Sequence, residues 1–140
     1  MDRRKIIFSF LNSQPLAVIS TVNDKGNPES ALIGFGGKED LVLIVGTNKS
    51  TRKYKNVLKN PRVALAIGFG QEMITVQYEG IAELMPDSEL KEYQKLYYVK
   101  NPSAKKYESD EGQVYFKIIP KWIRYTDFNK DPEELFEITL

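Results

Sequence analysis

The stretch LAVISTVNDKGNPESALIGF, residues 16–35, decides the fold of this 140-residue chain. Apart from Ser20, residues 16–22 are apolar or β-branched, a composition typical of a strand. Residues 23–27 are rich in Asn, Asp and Gly, which tolerate the positive φ angles of a tight turn. Residues 28–35 are then predicted to form the returning strand. The sequence therefore predicts two antiparallel strands joined by a hairpin turn.

More strands are predicted after this hairpin. They are apolar segments bounded by glycine, proline or polar residues, at 41–45, 62–69, 73–84 and 113–127. Residues 16–45 are interpreted as an antiparallel meander, with a second turn at 36–40. Gly80 interrupts the fifth strand and predicts a bulge or a close backbone approach.

Three helices are predicted around the strands, at residues 3–12, 50–59 and 86–99, where apolar side chains keep helical spacing. Asp87 or Ser88 is predicted to cap the third helix. About six strands with few short helices indicate a β-barrel or a sandwich decorated with helices. We expect a single domain over residues 1–140, with an N-terminal helix within 1–13 and an acidic tail at 129–140.

The composition excludes several kinds of chemistry. The chain has no cysteine and no histidine, so it has no disulfides, no thiolate nucleophile and no imidazole. We expect no metal site, and interpret the acids as solvated, namely Asp110, Glu111, Glu133 and Glu134. An enzyme of this composition would draw its chemistry from a bound cofactor. No apolar run approaches the roughly 18 residues of a membrane span, so a cytoplasmic location without membrane contact is expected.

Positive charge is concentrated in one segment of the chain. The net charge is only +1, yet residues 41–71 contain no acid. The same window holds six basic residues, Lys49, Arg52, Lys53, Lys55, Lys59 and Arg62. A local positive field in a nearly neutral protein favours a small anionic ligand over a nucleic acid.

This basic segment contains a strand-to-helix corner. The strand ends at residues 46–48 and a helix starts at Ser50 or Thr51, which leaves free backbone N–H groups at the positive end of the helix dipole. Arg52 and Lys53 are unfavourable there unless an anion lies beside them. With the hydroxyl groups of Thr47, Ser50 and Thr51 they predict a phosphate site. The alternative is that Ser50 caps the helix and the basic residues face water.

The order of these elements resembles the pyridoxamine 5′-phosphate oxidase-like family of flavin-binding split β-barrels. The resemblance spans roughly residues 10–128 and is carried by the segments LAVIST, GNPESA, the corner, NPRVAL and YEGIAE, starting at residues 16, 26, 47, 60 and 78. It implies a mainly β (α+β) fold, a six-stranded antiparallel split β-barrel with peripheral helices. It also implies an FMN cofactor in a groove between the two subunits of a homodimer.

The resemblance assigns residues to the cofactor. It places the phosphate at the corner, on Thr47, Ser50, Thr51, Arg52 and Lys53. It lays the second strand along the flavin ring, through Ser30, Ala31, Leu32, Ile33 and Gly34. It closes the site with the fifth strand of the partner subunit, through Thr75, Val76 and Gln77. It leaves Trp122 or Arg124 to border the flavin.

The sequence also departs from the family pattern. Pyridoxamine phosphate oxidases carry an arginine where this chain has Ala31, and a C-terminal segment with arginine and histidine. Vitamin B6 oxidation is therefore not expected, and the chain is more similar to the short general-stress-protein-like branch. Relatives that handle haem through histidine are disfavoured for the same reason.

The expected function is an FMN-dependent oxidoreductase acting on a small molecule, with no catalytic residue that the sequence can name. Tyr98 and Lys100 are candidates to line a substrate pocket, while Tyr97 is interpreted as packing. The alternatives are a non-catalytic module that stores flavin or senses redox state, a barrel without a ligand, and a deazaflavin-dependent reductase.

Overall fold

The computed structural model describes residues 2–140, and its centre is a curled, fully antiparallel sheet. The strands are β1 Leu16–Val22, β2 Pro28–Gly34, β3 Gly36–Gly37, β4 Leu43–Asn48, β5 Arg62–Ile67, β6 Ile74–Leu84, β7 Gln113–Asp127 and β8 Glu134–Thr139. The helices are α1 Arg3–Ser13, α2 Arg52–Lys59 and α3 Asp87–Lys100, followed by a 3-10 helix at Pro102–Tyr107. The predicted fold class, a split β-barrel with peripheral helices, is confirmed.

The sheet order is β2-β1-β5-β6-β7-β4-β3, with β8 added beside β7. The 15-residue strand β7 makes this arrangement possible. One edge of β7 pairs with β6, while the other edge pairs with β4 over residues 113–118 and with β8 over residues 122–127. The barrel is therefore split at this edge of β7, with the corner beside the N-terminal half of the strand and β8 beside its C-terminal half.

The strand count and the pairing correct the sequence-based prediction. The structure has eight strands rather than six, because β3 forms within the predicted turn and β8 forms in the predicted tail. The predicted hairpin of β1 and β2 is confirmed, but the third strand of the predicted meander does not pair with β2. β4 pairs with β3 and β7 instead of with β2. Alternation of apolar residues identifies a strand and its faces but not the neighbouring strand, so it could not predict that β4 pairs with β3 and β7.

The start of β4 is also displaced from the prediction. Leu41 has a φ of 71°, a conformation that ends a turn rather than starting a strand. Its amide donates to the Lys38 carbonyl at 2.9 Å. The Tyr78 hydroxyl lies 2.8 Å from the Leu41 carbonyl oxygen and holds this buried residue in place. The strand therefore begins at Leu43.

Two further local predictions have opposite outcomes. The bulge at Gly80 is confirmed, because the β6–β7 register shifts between Glu79 and Gly80. A Cβ on Gly80 would lie 2.6 Å from the Ile119 carbonyl oxygen, so only glycine fits without a shift. The predicted cap of α3 is wrong, since Pro86 is its N-cap residue and makes no side-chain capping bond.

The main core lies inside the curled sheet, closed by α1 and α2. It includes Ile7, Phe10, Ile67, Tyr78 and Ile118, all buried. A second cluster lies on the other side of β4, beneath α3, and consists of Ile44, Met85, Tyr93, Tyr97 and Tyr115. A Cβ on Gly36 would lie 2.9 Å from the Tyr97 Cα, so α3 rests directly on β3. This contact brings the end of α3 beside the corner.

No helix formed by residues 2–140 is long and apolar enough to cross a membrane.

Candidate functional site

The corner between β4 and α2 is held by Asn48. Its Oδ1 accepts from the Ser50 amide at 3.0 Å, and its carbonyl accepts from the Thr51 amide at 3.0 Å. Its Nδ2 donates to the Glu111 carbonyl at 2.8 Å, which ties the corner to the segment before β7. One asparagine thus sets the direction in which the chain leaves the sheet.

Thr51 is the N-cap of α2. Its Oγ1 lies 3.4 Å from the Tyr54 amide and 2.9 Å from the Thr47 Oγ1. A helix cannot bond its first amides internally, so the N–H groups of Arg52 and Lys53 remain available at the positive end of the dipole. The predicted helix start is confirmed at Thr51 rather than Ser50, and its geometry suits an anion.

Two hollows meet at this corner. The larger, of about 710 Å³, runs between β2 and the end of α3 and is lined by residues such as Leu32, Gly34, Thr47, Asn48, Lys53 and Tyr97. The smaller, of about 220 Å³, is lined by Thr21, Glu29, Ser30, Ala31, Thr51, Arg52 and Lys53. Lys53 borders both. An anionic group beside Lys53 would lie where the two hollows meet, and the rest of the ligand could extend along β2.

Lys53 lacks the partner that a half-buried ammonium normally has. Burial lowers its pKa below the ordinary lysine value. None of the ion pairs formed among residues 2–140 includes Lys53. Removing a charge from water is unfavourable without a counter-charge, so the residue fits a phosphate group in front of it.

Arg52 has a different environment. Its side chain is 74% exposed, and its guanidinium donates to Glu29 Oε2 at 3.2 Å. Glu29 also accepts from Asn56 Nδ2 at 2.8 Å and from Asn23 Nδ2 at 3.2 Å. These bonds, that of Asn56 above all, lower the pKa of Glu29 despite partial burial. Sequence reasoning missed Glu29, although an acid within β2, directly before the residues 30–34 assigned to the ring, was the available signal.

The structure brings two groups of predicted residues together. The corner residues and the β2 residues 30–34 line the two hollows, with Ser30 and Ala31 in the smaller and Leu32 to Gly34 in the larger. Ile33 is only 7% exposed, so it offers mainly its backbone. Leu32 is 61% exposed and presents its side chain on the outer surface of the sheet.

The other predicted residues lie elsewhere in the chain. The register aligns Leu32, Val18, Ala66, Gln77 and Arg124 in one row across β2, β1, β5, β6 and β7. Three strand spacings separate Leu32 from Gln77, roughly 14 Å. Thr75 and Trp122 share the face of this row by alternation along their strands. The side chain of Val76 is buried in the core at 1% exposure.

The tyrosines and the lysine at the end of α3 have distinct surroundings. Tyr97 is buried and also borders the larger hollow. The Tyr98 hydroxyl lies 2.5 Å from that of Tyr115. Lys100 Nζ donates to the Leu11 carbonyl at 2.9 Å. Tyr98 and Lys100 are therefore held by protein groups, and only Tyr97 reaches the hollow beside Gly46 and Thr47.

Comparison with known proteins identifies the family of this chain. A family model described as pyridoxamine 5′-phosphate oxidase matches residues 5–127, most of the chain. The chain belongs to the pyridoxamine 5′-phosphate oxidase family. The predicted resemblance is confirmed, and the corner lies inside the matched region.

Solved structures of similar fold extend this result. General Stress Protein 26 from Bacillus anthracis str. Sterne is 28% identical, with a TM-score of 0.76 over 99% of this chain and 100% of its own. A pyridoxamine 5′-phosphate oxidase-related, FMN-binding protein from Nostoc punctiforme PCC 73102 is 12% identical, with a TM-score of 0.70 over 100% and 97%.

A haem-binding protein from Mycobacterium smegmatis is 14% identical, with a TM-score of 0.84 over 99% of this chain and 58% of its own. At such low identity the last two structures show that their fold is shared with this chain, and no more. No curated protein matches the chain significantly.

Proposed function

We propose that the chain binds FMN and acts as a flavin-dependent oxidoreductase on a small molecule. The observation that carries this proposal is the half-buried ammonium of Lys53, which has no counter-ion in the ion pairs of residues 2–140 and lies at a helix start between two hollows. The name of the Nostoc punctiforme protein, which describes it as FMN-binding, supports the choice of anion.

Different residues would bind the phosphate and the ring of the cofactor. Lys53, Arg52 and the free amides of the first turn of α2 would hold the phosphate, with the hydroxyl groups of Thr47, Ser50 and Thr51 at the same corner. Residues 30–34 of β2 would lie along the ring. The corner is bound to β7 through Asn48, so the phosphate site and the sheet keep a fixed relation.

A second copy of the chain would complete the site. The outer face of the sheet exposes small or apolar side chains on β2 and β5, among them Leu32, Ala64 and Ala66. Two copies packed face to face about a two-fold axis would place Gln77, Thr75 and Trp122 of one copy near Leu32 of the other. A homodimer therefore explains why residues assigned to one cofactor lie about 14 Å apart in one chain.

The flavin would supply the redox chemistry, exchanging a hydride with the substrate or the electron donor. The chain would bind, orient and shield it. Tyr97, Asn101 and Tyr107 form the wall of the larger hollow opposite β2, and would limit the access of water and of substrate. Ala31, which lines the smaller hollow, stands where enzymes specific for vitamin B6 phosphates carry an arginine, and this difference separates the proposed site from theirs.

The absorbance spectrum of the purified protein tests the proposal. We expect flavin bands, and release of FMN on denaturation. The double variant Arg52→Ala with Lys53→Ala should lose the bands, while the matched variant Lys91→Ala with Lys95→Ala, on the exposed side of α3, should keep them. A colourless protein that gains no thermal stability from added FMN would contradict the proposal.

A second measurement separates catalysis from binding alone. Anaerobic bleaching of the flavin by a nicotinamide donor, followed by turnover of an added acceptor, is expected for an oxidoreductase. If the flavin stays tightly bound but oxidised under these conditions, the protein is a non-catalytic flavin-binding module. That result would refute the proposed oxidoreductase activity.

A further inference from the structure

We propose that Glu29 is a specificity-determining residue that weakens the binding of a phosphate dianion at the corner, and so narrows the preference for FMN over riboflavin. This inference depends on the proposed function, since it concerns the affinity of the same site. It rests on the position of one carboxylate inside an otherwise cationic hollow.

Glu29 is built into the smaller hollow rather than lying loose at its rim. Its side chain is only 17% exposed, and it lines the hollow together with Arg52 and Lys53. Asn56, which is buried, donates to it at 2.8 Å and also donates to Thr21 Oγ1 at 2.9 Å. The carboxylate is therefore fixed in place before any ligand arrives.

The same bonds keep Glu29 negatively charged at neutral pH. Donation from Asn56 is the largest influence and lowers its pKa, with smaller contributions from Asn23 and Arg52 in the same direction. Partial burial opposes this shift but does not reverse it. The hollow thus holds two cations and one permanent anion.

A phosphate dianion entering this hollow meets two unfavourable effects. It competes with Glu29 for the guanidinium of Arg52, and it lies near a like charge that cannot move away. Riboflavin carries no phosphate and meets neither effect. Glu29 should therefore lower the affinity for FMN and leave the affinity for riboflavin unchanged.

The test compares both flavins by fluorescence titration on the wild-type protein and on Glu29→Gln. The glutamine keeps the size of the side chain and the oxygen that accepts from Asn56. We expect FMN to bind about tenfold more tightly to the variant, the equivalent of roughly 1.4 kcal/mol, while the dissociation constant for riboflavin changes less than twofold.

Two control variants separate charge from structure. Glu29→Asp keeps the charge but disturbs the bonds to Asn56, and should leave FMN binding within threefold of wild type. Glu39→Gln makes the same change in net charge at an exposed turn, at the opposite end of β4, and should change neither dissociation constant. Should glutamine disturb the hairpin in circular dichroism, Glu29→Ser provides a second neutral variant.

The outcomes are distinguishable. An unchanged or weaker affinity for FMN in a folded neutral variant overturns the inference and leaves the proposed function standing. An equal gain in Glu29→Asp also overturns it, because charge would not be the cause. Failure of both flavins to bind wild type and every variant refutes the proposed function itself, and the inference with it.

Discussion

Lys53 and Lys100 are both half-buried lysines at helix ends, yet only one of them has its partners within the chain. Lys100 lies at the C-terminus of α3, where the dipole favours a cation. Its Nζ donates to the Leu11 carbonyl at 2.9 Å and lies 3.2 Å from the centre of the Phe35 ring. Lys53 lies at the opposite kind of helix end, in the first turn of α2.

The contacts around a half-buried lysine distinguish a structural role from a role in ligand binding. Burial lowers the pKa of both lysines, to about 7 for Lys100. The shift alone therefore does not identify a binding site. The surroundings do, because Lys100 joins α1, α3 and the end of β2, while Lys53 is unfavourably placed unless an external anion is bound.

The largest expected effect is on FMN affinity, when each lysine in turn is replaced by methionine. Lys53→Met is expected to weaken FMN binding about 100-fold, because a charge-assisted bond to phosphate contributes roughly 1.5–3 kcal/mol. Lys100→Met should change the affinity less than threefold. Isothermal titration calorimetry measures both. Equal losses in the two variants would contradict the distinction between them.

The next effect in size is expected from the N-cap of α2, the helix that carries Lys53. Thr51→Val removes the bonds to Tyr54 and Thr47. It should lower the free energy of unfolding by about 1 kcal/mol. Urea unfolding followed by circular dichroism measures this change. The control is Ser88→Ala in the first turn of α3, a helix without a side-chain cap, and it should have almost no effect.

The smallest effect is expected in the pH dependence of stability. Between pH 7 and 10.5 unfolded Lys100 holds a proton that the folded protein has released, so stability due to this residue rises with pH in that window. We expect a gain of only about 1 kcal/mol, because solvent reaches part of the side chain and the Leu11 carbonyl favours the charged form.

Urea unfolding of wild type and of Lys100→Met across this pH range measures that gain. The variant should lack the rise. A rise of the same size in both proteins would assign the titration to another group.

The sequence predicted the parts of the site that depend on local rules. A strand ending before hydroxyl and basic residues predicts a strand-to-helix corner, and the structure has that corner at residues 47–53, with Thr51 as the N-cap of α2. Gly80 marked its bulge because no Cβ fits against the Ile119 carbonyl. Local features of this kind can be predicted without knowing which strands pair.

The remaining features depend on contacts distant in sequence. Pairing of β4 with β7 joins residues 43–48 to 113–118, and no apolar pattern encodes that choice. Strand β8 was not predicted, because its segment is acidic and only Phe136 is buried. Its Glu137 pairs with Arg124 on β7, a contact that the sequence pattern does not show. Glu29 was missed because its role requires Asn56 and Arg52 from α2 to meet β2.

The dependence of the corner on β7 has a consequence during synthesis. β4 leaves the ribosome long before residues 113–118 exist, so its main partner is missing for more than sixty residues of translation. Only the two-residue β3 pairs with β4 among earlier segments. A nascent chain that stops before Gln113 would carry every basic residue of the corner. It would lack β7, the main strand that pairs with β4. We expect the cofactor to join the protein only after translation has passed β7.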